Sequence, residues 1–284
     1  MPATYKQTFK AYYHTCDAMG YVKTISYLRW MQQAAFAASA AVGYDFADYH
    51  HSGQLWLVRE SRLEILAPLK YGDVVETTTY VSDIRRFRSL RAYEMRNVET
   101  TSLVARATTD WVYLDEQTMY PVTIPTAMQR AFFPEGVPDK PLPRQRFPQV
   151  PPPGDDLFAL HKVVAWNDLD MMWHVNNATY MNYIDEAEKL ALESCGWSVQ
   201  RLYRNQMRVA SRRLRIEYVQ PAEAGNEIEI STWCSECTGL SALRHYEIHR
   251  ARDGQLLIRA YAAWGIRHLV TGGPMLIPAE ICNS

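Results

Sequence analysis

The chain has 284 residues, enough for two ordinary domains, and its 48% hydrophobic and 21% charged composition is globular, which excludes global disorder. Its 30 Lys and Arg stand against 31 Asp and Glu, a net charge of −1. No overall field therefore attracts nucleic acid or an anionic membrane, and an anionic ligand must be held by a local patch.

From the N-terminus, Met1 to Lys10 shows no apolar run after its basic residues, so no secretory signal is expected. The most apolar segment, Ala34 to Val42, is too short to cross a bilayer, and a cytoplasmic protein is expected. Ile25, Leu28, Met31, Ala35, Ala38 and Val42 recur at three- and four-residue spacing, which predicts a helix over Thr24 to Val42 ended by Gly43. Its alanines permit close packing on all sides, as a helix wrapped by a sheet requires. Alternating segments then predict strands at Arg62 to Ile65, Val74 to Val81, Leu90 to Val98 and Val104 to Leu114.

Eight of the 15 prolines fall between Pro134 and Pro153, and proline fixes its own φ while pushing its predecessor out of the helical region. An extended linker is expected over residues 131–157, separating domains at 1–130 and 158–284. At about 3.1 Å per residue, 20 such residues reach roughly 60 Å.

Beyond the linker the sequence repeats itself at an offset of 153 without a gap. Asp17 meets Asp170, Val22 meets Val175, Tyr27 meets Tyr180, and Gly43 meets Gly196. Further on, Arg62 meets Arg215, Pro68 meets Pro221, Leu90-Arg91 meets Leu243-Arg244, and Ile124-Pro125 meets Ile277-Pro278. One offset held from end to end marks a tandem duplication. The second helix is expected to start near Asn177. One strand, one long helix and a run of antiparallel strands per copy describe an α+β double hotdog, two tandem domains in which a sheet curls around a helix. A ferredoxin-like fold would need a second long helix in each copy.

Cys16, Cys195, Cys234, Cys237 and Cys282 are an odd number in a large chain, which argues against a disulfide framework. Cys234 and Cys237 form a CxxC, but no second pair or spaced histidines follow, so no metal site is expected.

The candidate chemistry lies just before each helix. Copy two reads Asp168-Leu169-Asp170-Met171-Met172-Trp173-His174-Val175-Asn176-Asn177, and copy one reads Cys16-Asp17-Ala18-Met19-Gly20-Tyr21-Val22. A carboxylate beside the unpaired N–H groups of a helix start can attack a carbonyl carbon or deprotonate water while the amides polarise the carbonyl oxygen. Asp170, His174 and Asp17 are the candidate catalytic residues. Met172, Asn176, Asn177, Gly20 and Tyr21 are the candidate substrate contacts, and Asn176 or Asn177 also suits a helix N-cap. As turn formers, the two aspartates would equally serve structure alone. Trp56, Trp111, Trp264, Phe87 and Met19 are candidates for an apolar slot, with core packing as the alternative. Two basic clusters, Arg85-Arg86-Phe87-Arg88 with Arg91 and Arg201 to Arg215, suit an acidic carrier protein or the phosphates of CoA.

The run Asp168-Leu169-Asp170…His174-Val175-Asn176-Asn177 with Tyr180 resembles the catalytic motif of the acyl-ACP thioesterases of plants and bacteria, which are tandem hotdogs with this motif opening the second repeat. Cys16 to Val22, with Tyr27 and Arg29-Trp30, is similar to the active-site segment of the single-domain 4-hydroxybenzoyl-CoA thioesterases. The resemblance implies hydrolysis of an acyl-ACP or acyl-CoA thioester to a fatty acid, in fatty-acid metabolism, with no metal and no cofactor. Met172 stands where the acyl-ACP family has Asn, and Pro221-Ala222 where it has a Glu-Cys pair, so a Cys-His nucleophile is excluded and carboxylates remain. A 3-hydroxyacyl-thioester dehydratase or hydratase and a non-catalytic acyl-thioester-binding module are the alternatives. Two hotdogs in one chain can form an internal pseudo-dimer, and a homodimer of such chains is a further option.

Overall fold

The computed structural model describes residues 1–143, 145–154 and 157–282, and the chain divides into two units, Met1–Arg146 and Phe147–Ser284. In the first unit the strands are β1 (Thr4–Lys10), β2 (Gln54–Ile65), β3 (Val74–Arg85), β4 (Arg88–Asn97) and β5 (Leu103–Asp115), antiparallel in the order β1-β3-β4-β5-β2. In the second they are β6 (Phe158–Val163), β7 (Met207–Tyr218), β8 (Glu227–Cys237), β9 (Ala242–Arg250) and β10 (Gln255–His268), in the order β6-β8-β9-β10-β7, with the short β11 (Pro274–Met275) on β10. The two orders are the same topology twice. Even the bulge recurs: the β3–β4 register slips between Val81 and Asp83, and the β8–β9 register slips between the equivalent Cys234 and Glu236.

Each sheet packs on one long helix, the expected hotdog. Helix α1 (Thr24–Ala40) buries ten residues from Ile25 to Ser39, leaving Arg29, Gln33, Phe36 and Ala40 as a narrow exposed stripe. Five small residues among the buried ten, Ser26, Ala34, Ala35, Ala38 and Ser39, let the backbone approach its neighbours closely. Gly43 and Gly196 end the two helices at φ of 86°, where a Cβ would be strained. The following amides return to matching carbonyls, Tyr44 to Ser39 and Trp197 to Leu192. The second long helix α4 (Tyr180–Ser194) starts three residues after Asn177, because Asn177 to Thr179 form a tighter turn. There Thr179 N–H reaches back only three residues, to the Asn176 carbonyl.

Short helices add to the expected plan: α2 (Phe46–Ser52) and α5 (Val199–Arg204) follow the long helices, and α3 (Thr126–Phe132) and α6 (Ala279–Cys282) end the units. Each has too few turns for an apolar period to register in sequence. Helix α3 runs past residue 130, and Phe132 and Phe133 belong to the first unit's core with Val81, Ile84 and Tyr113. The described residues from Phe133 to Leu157 form no helix or strand; Arg144, Asp155 and Asp156 of the Pro-rich stretch lie outside the described residues.

The cysteines require a correction. Cys237 and Cys282 are joined in a disulfide with Cα atoms 5.7 Å apart, tying the end of β8 to α6, while Cys16 and Cys195 are free thiols. Counting cysteines missed this because the partners are 45 residues apart, and the CxxC spacing drew attention to the wrong pair. No helix among the described residues is long and apolar enough to cross a membrane.

Candidate active site

The same hydrogen bonds hold both candidate segments. Cys16 bridges Val22 and Leu169 bridges Val175, closing a five-residue loop in each unit. Behind the loop, Val22 N–H donates to Leu69 O and Val175 N–H to Ala222 O, each at 2.9 Å. The Tyr27 hydroxyl accepts Leu69 N–H at 3.1 Å, and the Tyr180 hydroxyl accepts Ala222 N–H at 3.0 Å. A buried phenol thus anchors the first turn of each long helix to the turn before the third strand of its unit. Burial pushes the Tyr180 pKa well up, so the group is a neutral structural clamp and not an acid in use near neutrality.

The two aspartates differ in what they hold. Asp17 is exposed, and its Oδ1 accepts the N–H groups of Met19 at 2.9 Å and Tyr21 at 3.0 Å. That is the behaviour of a loop-closing aspartate. Asp170 is half-buried, and its Oδ1 accepts Met172 N–H at 3.0 Å. Its Oδ2 faces the side-chain amide of Asn176, which donates at 3.3 Å. Asn176 is itself fixed, because its Oδ1 accepts Ala178 N–H at 3.0 Å, capping the turn that leads into α4. Lys23 stands in that position in copy one, and an ammonium cannot cap the turn. Only the second copy therefore carries an aspartate oxygen aimed by a side chain that also shapes the helix start.

His174 lies across the loop from Asp170, joined to it by the backbone bond from Asp170 N–H to His174 O at 3.0 Å. Its half-buried ring makes no hydrogen bond to Asp170 among the described residues. Asn177 presents its carbonyl to the Tyr218 hydroxyl at 3.2 Å. Its N–H has no partner among the described residues, which makes it a donor available to an incoming oxygen at the helix start. Met172 contributes its backbone to Asp170, and its thioether could not replace an amide donor. In copy one, Gly20 takes φ of 82° in the loop, and Tyr21 is buried under Lys70, whose Nζ lies 5.2 Å from the ring.

Sequence reasoning missed Trp173. It occupies the place of Gly20 with φ of 62°, a conformation that costs a bulky residue about 1–3 kcal/mol. Its ring is exposed and meets Trp166 edge-on, centroids 5.3 Å apart, beside exposed Met171. The signal was available in the repeat alignment, where a tryptophan replaces a turn glycine. Of the candidate slot residues, Trp264 is buried core, Trp56 packs on Tyr113 at 4.8 Å, and Trp111 donates to Thr109 at 2.6 Å. Phe87 is half-buried under Arg86, and Met19 is half-buried in the copy-one loop.

The linear arginine clusters are partly exposed, with Arg86, Arg201, Arg204, Arg212 and Arg213 at the surface. Alternate strand residues face opposite sides, so Arg91, Arg208 and Arg215 are buried, while Arg85 pairs with Asp83 and Arg88 with Asp110. Among the described residues, no group of three or more His, Cys, Asp or Glu is arranged to hold a metal ion.

Comparison with known proteins follows the same division. Residues 2–132 match the family model described as the acyl-ACP thioesterase N-terminal domain, and residues 164–284 match that of the thioesterase-like superfamily. The palmitoyl-acyl carrier protein thioesterase, chloroplastic, of Gossypium hirsutum is 26% identical over 234 residues, 78% of this chain and 52% of that protein. The chain thus spans about half the length of this relative. Two solved structures share the fold at 17% identity. One is the putative oleoyl thioesterase of Lactobacillus plantarum, with TM-score 0.80 over 93% of this chain and 96% of that one. The other is the 12:0-ACP thioesterase from Umbellularia californica, with TM-score 0.74 over 93% and 94%. The chain therefore matches, in order, the acyl-ACP thioesterase N-terminal domain and the thioesterase-like superfamily.

Proposed function

We propose that this protein hydrolyses acyl thioesters of acyl carrier protein or CoA, releasing a fatty acid and a thiol, and that the second unit carries the chemistry. One observation bears the most weight: Asp170 is held by Asn176, and Asn176 caps the turn that leads into α4, where the Asn177 amide has no partner among the described residues. A thioester carbonyl oxygen would accept that amide, and Asp170 would then attack the carbonyl carbon or deprotonate the attacking water. His174, with an uncommitted ring across the loop, would orient the substrate or protonate the leaving sulfur. Asp17, tied to two amides of its own loop, is read as structural. The Pro-rich stretch that follows the core residue Phe133 is read as the linker between the two domains.

The family matches and the plant relative favour this reading over a dehydratase or a non-catalytic binding module. Thiol release from acyl-ACP and acyl-CoA, followed beside enoyl absorbance on 3-hydroxyacyl-CoA, is the test. Thiol release is expected. Enoyl formation alone would make the protein a dehydratase, and binding without either would leave an acyl-binding module.

A further inference from the structure

Duplication has left the loop-bearing end of the first unit with a different surface from the matching end of the second. Residues 10–23 and the turn 69–73 are tied together there: Ala11 N–H donates to Asp73 O at 2.8 Å, Gly72 N–H to Ala11 O at 2.9 Å, and Tyr71 N–H to Gly20 O at 3.1 Å. Three tyrosines stand out from this frame, Tyr12 at 54% exposure, Tyr13 at 88% and Tyr71 at 65%. Lysines interleave with the rings. Lys10 Nζ lies 6.0 Å from the Tyr12 ring and Lys70 Nζ 5.2 Å from that of Tyr21, while His14 stacks on Tyr12 with centroids 6.0 Å apart. Lys10 and Lys70 are exposed, Lys23 is half-buried at the start of α1, and none of the three forms an ion pair among the described residues. The two carboxylates of this end are already engaged by backbone amides, Asp17 Oδ1 by Met19 and Tyr21, and Asp73 Oδ2 by Lys70 N–H at 2.7 Å.

The second copy lacks the basic half of this pattern. Val163, Asn176 and Glu223 stand where the lysines do, and Ala165 and Ala224 stand for Tyr12 and Tyr71. Across the equivalent residues 163–176 and 222–226 there are three carboxylates, Asp168, Asp170 and Glu223, and no lysine or arginine. The scaffold common to both copies therefore does not demand a basic, tyrosine-rich end.

We propose that this end of the first unit docks on the surface of an anionic lipid bilayer, with Tyr12, Tyr13 and Tyr71 entering the headgroup layer and Lys10, Lys23 and Lys70 facing lipid phosphates. A phenol has an apolar body and a polar tip, and a lysine lays its stem on apolar surface while its ammonium stays at the phosphates, so both residue types suit that depth. An acidic protein surface would answer the lysines alone, whereas a bilayer takes the rings as well. The near-neutral total charge is no obstacle, because the attraction acts within a Debye length of the lysines, roughly 8–10 Å. Contact through a loop end needs no spanning helix.

The test is co-sedimentation of the full chain with liposomes of phosphatidylcholine alone and of phosphatidylcholine mixed with phosphatidylglycerol. Binding to the mixed vesicles is expected, at least about tenfold tighter than to the neutral ones and weakened by salt. Lys10→Gln combined with Lys70→Gln should weaken it about twentyfold, at roughly fivefold for each lysine near such a surface. Lys10→Arg combined with Lys70→Arg should retain it. Tyr12→Ser combined with Tyr13→Ser should weaken binding while leaving its salt dependence in place. Trp166→Ala, in the acidic loop of the second unit, should change nothing. All these side chains are exposed, and melting curves confirm that each variant is folded. No binding, equal binding to both vesicles, undiminished binding by the glutamine or the serine pair, or loss in Trp166→Ala would each overturn the proposal. So would capture of an acidic carrier protein through the same lysines without vesicle binding, which would make this a protein-docking surface. Sedimentation is read without turnover, so vesicle binding and thioester hydrolysis can fail separately.

Discussion

Replacing Asp170 with Asn, beside the same change at Asp17, separates catalysis from loop closure because the two carboxylates occupy equivalent loops. In Asp170→Asn the oxygen facing Met172 N–H remains an acceptor, and only the 3.3 Å bond from Asn176 to Oδ2 is lost, as two amide donors would face each other. At a half-buried site that is worth about 0.5–1.5 kcal/mol. The melting temperature should fall by a few degrees, at roughly 2–4 °C per kcal/mol for a domain of this size. Turnover should fall much further. A positioned base contributes about 10²–10⁴-fold, or roughly 2.7–5.4 kcal/mol of barrier at 1.36 kcal/mol per decade. In Asp17→Asn the Oδ1 that takes Met19 and Tyr21 also survives, so a similar small loss of stability with turnover within about twofold of wild type is expected. Thiol release on one acyl-CoA, with melting curves for each variant, reads both quantities. Equal losses of turnover in the two variants, or wild-type turnover in Asp170→Asn, would refute the assignment to the second unit.

Asn176→Ser keeps an oxygen to cap Ala178 while removing the donor to Asp170, so thiol release should fall about tenfold with a stability change below about 1 kcal/mol by denaturant titration. Trp173→Gly should relieve about 1 kcal/mol of backbone strain, seen as a higher urea midpoint, and raise KM more than it lowers kcat if the exposed ring contacts substrate. Tyr180→Phe leaves the buried Ala222 amide without its acceptor and should cost about 1–3 kcal/mol in the same titration. Burial raises the carboxyl pKa of Glu188, but Lys189, the Tyr246 hydroxyl and Arg244 outweigh it and hold it below the usual range. Its contribution is therefore present above the unfolded carboxylate pKa and fades as pH falls through the lower folded value. Glu188→Gln should cost about 3–5 kcal/mol at pH 7 by removing the charge that Lys189 and Arg244 face, with the gap to wild type closing in acid.

Much of the fold was legible because duplication doubles every signal: the 153-residue offset marked both helices, their terminal glycines and the paired Pro…Gly turns. Strand ends were less so. Strand β2 begins at Gln54, eight residues before the expected Arg62, because its bulge between Val58 and Glu60 breaks the two-residue alternation that marks a strand. At the site, the sequence placed Asp17 and Asp170 in equivalent positions but could not show that their oxygens have different partners. That difference rests on one substitution, Lys23 against Asn176, whose meaning depends on which way a side chain turns at a helix start. The basic clusters are thinned for a related reason: proximity in sequence is separation in a strand, where neighbours take opposite faces.

The two copies show what duplication permits. Both keep the scaffold of loop, buried tyrosine and long helix, since each depends on the same bonds to hold its helix against its sheet. The residues that diverge are those the scaffold does not need. Lys23 faces Asn176 in the alignment, Gly20 faces Trp173, and Ala35 faces Glu188. The second copy gains an aimed carboxylate, an exposed ring on a strained backbone and a buried glutamate. The first keeps a relaxed glycine turn and an alanine at the matching helix position.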